Sequence, residues 1–409
     1  MEFGVNMSSK ERVSRQNKFF LRSVGGVDIA DEDLDGDIES IYYQNVRNDI
    51  SFEERGYMVS PIFKPADYFD AEVEELGLFG SLFTKPYESI EVTAGLRYVN
   101  FSQTVYQYKE DRENPNMSER RLIQRIPESL EINDVFPSAS LKYKHDEDNH
   151  FDVAISKTYI VPDLREFTSG EYFHPYDVAT VIGNPALENT NIYNLDLKYS
   201  HYMSDSENIK MGLFFKYLDK PIEDVMIPSS SLPIYSFDNA ESAILYGVEI
   251  DGRKNLDSLG RDFANYYVSG NFSYTESDVT LRDEQLATFS TNYRQLQGLS
   301  KIVMNTTLGY DSDNRNVALS YNKMGERIRK VGLIDEYAYP DNYETPPQIL
   351  DLTWKENLGD LEEYGLNNIS MKFKVGNILD DETVWRQGSK TTKRFKHGQT
   401  FSIGVSSKF

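Results

Sequence analysis

Along most of this chain, apolar and polar side chains take turns. In "SIEVTAGLRYVN" Ile90, Val92, Ala94, Leu96 and Tyr98 share one face, while Glu91, Thr93, Gly95 and Arg97 share the other. "FDVAISKT" sets Phe151, Val153 and Ile155 against Asp152, Ala154 and Ser156, and "NLDLKYS" sets Leu195, Leu197 and Tyr199 against Asp196, Lys198 and Ser200. "IKMGLFFKY" opposes Ile209, Met211, Leu213, Phe215 and Tyr217 to Lys210, Gly212 and Lys216. The alternation continues through Tyr246/Val248/Ile250, Val317/Leu319/Tyr321, Leu350/Leu352/Trp354 and Met371/Phe373/Val375 to the closing "GQTFSIGVSSKF", where Phe401, Ile403 and Val405 oppose Ser402, Gly404 and Ser406. A period of two belongs to a strand with two different faces, and a sustained helical period is nearly absent. The pattern predicts an all-β protein of about fourteen strands.

The connections between these segments also alternate. Tight polar turns fall at "KPYES" (85–89), "HDEDNH" (145–150), "MSDSEN" (203–208), "LDSLGRD" (256–262), "DSDN" (311–314) and "GDLEEYG" (359–365). Between them lie long segments at 11–70, 105–131, 161–190, 223–240, 279–295, 330–346 and 380–397. A soluble sandwich has no reason for this rhythm, and no internal repeat of fixed period suggests a propeller or solenoid. A transmembrane antiparallel β-barrel has one, with short periplasmic turns and long extracellular loops. Because lipid offers no partner to a backbone amide, such a sheet is expected to close, the last strand meeting the first.

Composition changes this picture in three ways. Lys and Arg total 43 against 66 for Asp and Glu, a net charge of -23, which argues against a nucleic-acid partner. No cysteine is present, which removes thiolate metal sites, disulfides and cysteine nucleophiles. The 28 tyrosines against 2 tryptophans suit long strands and an interfacial belt. No segment approaches the roughly 18 apolar residues of a spanning helix; "GLFGSLF" (77–83) is among the longest runs. The opening "MEFGVNMSSKER" has no apolar core of the kind a signal peptide carries, so none is expected.

Several stretches, in order, resemble the barrel of TonB-dependent outer-membrane receptors. The most specific is "YIVPDLREFTSGEYFHPYDVATVIGNPALENTNIYNLDLKY" (159–199), in which Gly183, Asn184, Pro185, Leu187, Asn194, Asp196 and Leu197 match the family's pattern. "DYFDAEVEELGLFGSLF" (67–83) with "LRYVNF" (96–101), "YGVEIDGRKNL" (246–256), "LDLTWKENL" (350–358) and "FKVGNILDDETV" (373–384) are similar as well. The resemblance spans nearly the whole chain, 1–409. It implies a Gram-negative outer-membrane location among lipid and lipopolysaccharide, and a barrel of about 22 strands of which this chain is the C-terminal part. It also implies energised uptake of a scarce small-molecule nutrient: a ferric chelate, a cobalamin-like cofactor or an oligosaccharide. TonB would act only through a plug, and plug, TonB box and leader are expected to be missing here. By the same resemblance, Phe401, Ile403, Val405 and Phe409 form the terminal signal read by the barrel-assembly machinery. A passive porin-like or structural barrel is the alternative, and an outer-membrane enzyme the third reading.

Candidate chemistry is sparse. "DEDLDGD" spaces Asp31, Asp33 and Asp35 as calcium-loop ligands before Gly36, but Tyr42 stands at the twelfth position, where a bidentate Glu is needed. A solvated acidic loop is the competing reading, and such acidity could also attract cationic substrates or hold divalent ions against lipopolysaccharide phosphates. Arg97, Asp152, Lys198, Glu249, Asp251 and Lys372 fall on the polar face and are candidates for a substrate path, or for plug contact. "EYFHPYD" (171–177) is an aromatic loop that could hold a sugar or chelate, or be stabilised by its own rings. Gly183-Asn184-Pro185 can end a long loop and launch a strand, and Gly247 and Gly252 suit a bend or close packing. His145, His150, His174, His201 and His397 show no ligand spacing, and no hydrolase, zinc-protease, P-loop or dinucleotide motif occurs. No catalytic residue and no cofactor is expected, apart from the possible calcium.

Overall fold

The computed structural model describes residues 1–16, 18–24, 56–62, 68–110, 122–124, 127–175, 177–227, 234–333, 339–361 and 366–408. Fourteen strands form one antiparallel sheet in which each pairs with its sequence neighbours. They are β1 (Glu2–Arg15), β2 (Tyr68–Tyr87), β3 (Ile90–Glu110), β4 (Glu128–Lys144), β5 (Asn149–Ile160), β6 (Thr190–Ser204) and β7 (Glu207–Asp219). Then follow β8 (Ser242–Asn255), β9 (Tyr266–Thr280), β10 (Ile302–Asp311), β11 (Arg315–Met324), β12 (Ile349–Leu361), β13 (Leu366–Gly376) and β14 (Thr400–Lys408). Each even-numbered strand up to β12 leads into a short turn and each odd-numbered one into a long connection. Helix among the described residues amounts to one turn at Asp283–Leu286 and two 3-10 turns before β9.

The register keeps the alternation in phase from strand to strand. Leu213 of β7 stands opposite Leu197 of β6 and Val248 of β8, and Val248 opposite Tyr274 of β9. The result is a continuous apolar outer belt that stays open to its surroundings; Leu213 is 54% exposed and Ile155 also 54%. A solvated domain would not leave so large an apolar surface bare, whereas the hydrocarbon of a bilayer covers it.

Three expectations change. First, the inner face is not polar throughout. Near the long-loop end it becomes apolar, with Phe69, Ala71, Val99, Phe101, Val105, Leu130, Ile132 and Phe136 buried. Second, the long connections fold. Ile222–Ile227, Ile234–Asn239, Ala179–Ile182 and Glu171–His174 form a four-stranded sheet from two connections, joined by a parallel pairing of Thr180 with Ile234. Arg327–Lys330, Asn342–Thr345, Glu382–Gln387 and Lys390–Lys396 form another, extending β11, β12, β13 and β14 upward in the same order. Backbone groups that leave the wall need partners, and these small sheets supply them.

Third, β1 and β14 do not pair with each other; they are the two edges of the sheet. Each is hydrogen-bonded on one side only among the described residues. Closure needs the end strands to meet at a tilt and stagger fixed by strand number, and these two share no register among the described residues.

The apolar cores lie between the upper wall and the folded connections. One joins Phe69, Ala71, Val105 and Leu130 of the wall to Leu164, Phe167, Val181, Leu187, Tyr235 and Phe237 of the connections. A second joins Leu218, Ala243 and Val279 to Phe289, Ile328, Val331 and Leu333. Full burial of one such side chain is worth about 1.5–3 kcal/mol, so the connections form a fixed cap.

Candidate functional site

The wall below the cap carries the candidate path. In the sheet register Glu91 stands opposite Lys142, Lys142 opposite Asp152, Asp152 opposite Lys198, Lys198 opposite Gly212, and Gly212 opposite Glu249. Signs therefore alternate around the inner face at one height, broken only by the glycine. Glu91 accepts Lys85 at 2.9 Å and Lys144 at 2.7 Å, and Lys142 reaches Asp152 at 3.7 Å. The next row runs Lys144, His150, Ser200, Lys210, Asp251, Asn271, Asn305 and Asn322, with Lys210 to Asp251 at 3.5 Å and Asn305 donating to Asn271 at 2.8 Å.

Of the six residues expected on the path, Asp152, Lys198, Glu249 and Asp251 thus come together in two adjacent rows. Arg97 stands higher, paired with Glu75 at 2.6 Å, and Lys372 lies apart on β13 opposite Lys355 and Gly404. Partly exposed pairs of this kind stabilise by about 0–1 kcal/mol, so their placement matters more for what passes than for the fold. Lys198 and Glu249 face each other across side-chain-free Gly212, and both are exposed.

Above, charged contacts weld the cap, and the sequence reading did not find them. Arg294 donates to both oxygens of Glu223 at 2.7 and 2.6 Å, with the side chains 1% and 3% exposed. Arg329 pairs with Asp177, which also lies 3.2 Å from His174, and Lys330 pairs with Asp224 at 2.6 Å. The Arg329 guanidinium stacks on Trp385 at 3.6 Å from the ring centre, and Lys393 lies over the same ring at 4.7 Å. Nothing local signals partners separated by 71 or 152 residues.

The described residues of "EYFHPYD" pack into this cap. Tyr172 packs against the first core beneath Arg165, and His174 turns to Asp177. Burial pushes the Tyr172 hydroxyl and the Glu166 carboxyl above their ordinary pKa values. Gly183-Asn184-Pro185 tucks under the turn at 163–170. Asn184 takes the Glu166 carbonyl through its own amide N–H at 2.6 Å and donates its side-chain amide to the Phe237 carbonyl at 2.9 Å. The motif therefore joins two connections as well as launching β6. Gly247 and Gly252 do sit where a Cβ would strike a neighbouring strand, at the Tyr274 and Asn208 carbonyls.

Asp31, Asp33, Asp35 and Phe409 lie outside the described residues. Among the described residues no group of three or more His, Asp or Glu is placed to hold a metal. Phe401, Ile403 and Val405 line one face of β14, 68%, 74% and 70% exposed.

A meandering antiparallel wall with an apolar outside, a charged inside and a folded cap defines a transmembrane barrel. The family of TonB dependent receptor-like β-barrels matches residues 12–394, and the chain belongs to it. Its members are transport receptors of the Gram-negative outer membrane, which is the location of this barrel. Among solved structures, the ferric-catecholate import receptor Fiu from E. coli K12 superposes with a TM-score of 0.58 at 11% identity, over 88% of this chain and 47% of its own. The copper transporter OprC gives 0.57 at 13%, over 83% and 49%. The ferric yersiniabactin uptake receptor FyuA from Yersinia pestis gives 0.55 at 13%, over 84% and 47%. The chain spans about half the length of these relatives, and at such identities the likeness is one of fold. No curated protein matches the sequence.

Proposed function

We propose that this chain is the substrate-guiding wall of an outer-membrane receptor that imports a scarce nutrient, with a metal chelate as the substrate class. The observation that carries the reading is the alternating-charge row broken at Gly212, with Lys198 and Glu249 left to meet a solute or an inserted plug. Ferric chelates and copper are the cargo named for the three structural relatives, which supports a chelate over a cobalamin-like cofactor or an oligosaccharide. Energy would come from TonB acting on a plug held inside the wall. The open edges at β1 and β14 support a membrane unit with further strands, since unpaired backbone in lipid costs several kcal/mol per group, about 2–7. In that unit Phe401, Ile403 and Val405 would serve as the assembly signal.

Uptake of radiolabelled ferric chelates by iron-limited cells, with and without the gene and with and without TonB, tests the proposal. Uptake that needs both supports it. Uptake indifferent to TonB, together with steady ion conductance of the purified protein in a planar bilayer, would replace it with the passive porin.

A further inference from the structure

The wall parts between β4 and β5. Their register runs from Lys144 opposite His150 up to Ser138 opposite Ser156 and ends there. Above that point β4 stays paired with β3 as far as Glu128, and β5 stays paired with β6 as far as Ile160. Among the described residues, the edge of β4 from Glu128 to Pro137 therefore has no strand beside it.

The parting is written in the sequence. In an antiparallel ladder the N–H and C=O of one residue point to the same neighbouring strand, and successive residues alternate. Lys144 donates its amide to the Ser89 carbonyl on the β3 side and His145 donates to the Asn149 carbonyl on the β5 side, so odd-numbered residues of β4 turn their backbone toward β5. Pro137, the first of these above the last paired residue, has no N–H to offer. Val135 gives its N–H to the Asp134 carboxylate at 2.6 Å, and Lys157 of β5 donates to the second Asp134 oxygen. Further up β5, Tyr159 packs with Val99, Phe101, Ile132 and Phe136, and Gln103 donates to the Pro162 carbonyl at 3.3 Å. The top of β5 is thus drawn over the inner side of β3 and β4, away from the β4 edge.

Ser129, Glu131 and Asn133 remain on that edge, and their backbone groups meet no partner on the β5 side among the described residues. Their side chains are exposed, as is that of Glu128. Neither Glu128 nor Glu131 has a cation within ion-pair distance among the described residues. On the outer face Tyr98 stands opposite Val135, and above them the opposed pairs are Asn100 with Asn133, Ser102 with Glu131 and Thr104 with Ser129. Apolar gives way to polar at this point, so the bare edge lies outside the hydrocarbon, at the end of the wall that carries the long connections.

An unpaired edge in water is a template for another strand, and such edges are ordinarily blunted by Lys, Pro or a covering element. Here the blunting stops at Pro137 and Asp134, and 129–133 is left bare between free carboxylates. We propose that the β4 edge at 128–133 takes up an extended segment of a partner protein by strand addition, and that this segment is cationic, its Lys or Arg side chains meeting Glu128 and Glu131. The main chain supplies the affinity and the carboxylates select the sign. The edge lies within the wall between two consecutive strands, so the proposal is independent of the transported substrate.

The test uses the full chain purified from outer membranes in mild detergent and a short fluorescent peptide of alternating lysine and valine, with binding read by anisotropy. Two comparison peptides are the glutamate–valine version and a lysine–valine version with every amide N-methylated, which keeps the charge and cannot donate. The lysine peptide is expected to bind saturably, and both comparison peptides at least about ten-fold more weakly. Glu131→Pro removes a donor on the open side and leaves the β3 ladder alone, so it should weaken binding about five-fold or more. Glu128→Gln/Glu131→Gln should weaken binding several-fold and flatten its dependence on salt. Absence of saturable binding by the lysine peptide overturns the proposal. So does equal binding of the N-methylated peptide to the wild type, which would mean charge alone and needs no variant to fold, and so does unchanged affinity in Glu131→Pro. Self-association of the protein that Glu131→Pro abolishes and the lysine peptide leaves untouched would assign the edge to a second copy of this chain and overturn the cationic partner.

Discussion

Glu223 and Arg294 stand 71 residues apart in sequence and share two hydrogen bonds of 2.7 and 2.6 Å with almost no access to water. Glu223 belongs to the connection between β7 and β8, and Arg294 to the one between β9 and β10. Around them Gln297 donates its side chain to the Arg329 carbonyl at 2.6 Å, and Val225 bridges to Val331. Three connections are thereby held by one buried pair and its neighbours.

Removing one partner should cost more than removing both. Arg294→Met leaves a buried carboxylate uncompensated, and about 3–5 kcal/mol of cap stability should be lost. Glu223→Leu combined with Arg294→Met should recover most of it, because neither desolvated charge remains. Hydrogen exchange at 220–227 and 281–301 reads the difference; equal exchange in the single and double variants would contradict it.

Gly183→Ala should unlatch the connection between β5 and β6. A Cβ there would fall on the carbonyl oxygens of Arg165, Glu166 and Thr168, which are backbone and cannot swing away. A loss of about 1–3 kcal/mol or more is expected. Limited proteolysis should cut within 161–189 in the variant and spare the wild type.

Acid should loosen the contact between the last two long connections. Asp381 accepts the backbone amides of Gln348 at 2.9 Å and Glu382 at 2.8 Å, and these bonds hold its carboxyl below the ordinary carboxylate range. With the folded value depressed, the stabilisation is fully present above the unfolded carboxyl pKa and is lost as pH falls through the folded one. Protease sensitivity near 377–381 should therefore rise on acidification below about pH 4. Asp381→Asn should show that sensitivity at neutral pH and lose its pH dependence.

Lys198→Gln and Glu249→Gln should lower chelate uptake several-fold without altering the protease pattern of the cap. Lys142→Gln, whose lysine already leans on Asp152 at 3.7 Å, should have a smaller effect. Initial uptake rates in iron-limited cells decide; equal loss in all three would mean a merely structural row.

The wall was legible because lipid outside and water inside enforce the alternation that the residues display. The cap was legible only in part. On β3 the apolar set shifts from even positions, Ile90 to Tyr98, to odd ones, Val99, Phe101 and Val105. On β2 the shift runs from Phe69, Ala71 and Val73 to Leu76, Leu78 and Leu82, and on β4 from Leu130 and Ile132 to Leu141 and Tyr143. Such a change of phase marks where the outside stops being hydrocarbon and the inside starts being protein, and it was present in the sequence. What the cap strands pair with was not, because Arg329 meets Asp177 and Thr180 meets Ile234 only after several loops have folded together. The charged row was visible as residue types on one face, but its continuity across six strands depends on registers that no single segment encodes.

The shared cores of the cap also bear on how such a protein could be re-engineered. Leu164 and Val181 come from one connection and Tyr235 from another yet pack as one body, as do Phe289 of a third and Ile328 and Leu333 of a fourth. Transplanting one loop from a relative to change what the barrel admits would leave its former neighbours with mismatched surfaces. The loops would have to be exchanged as a cassette, so the smallest portable unit of specificity is the whole lid.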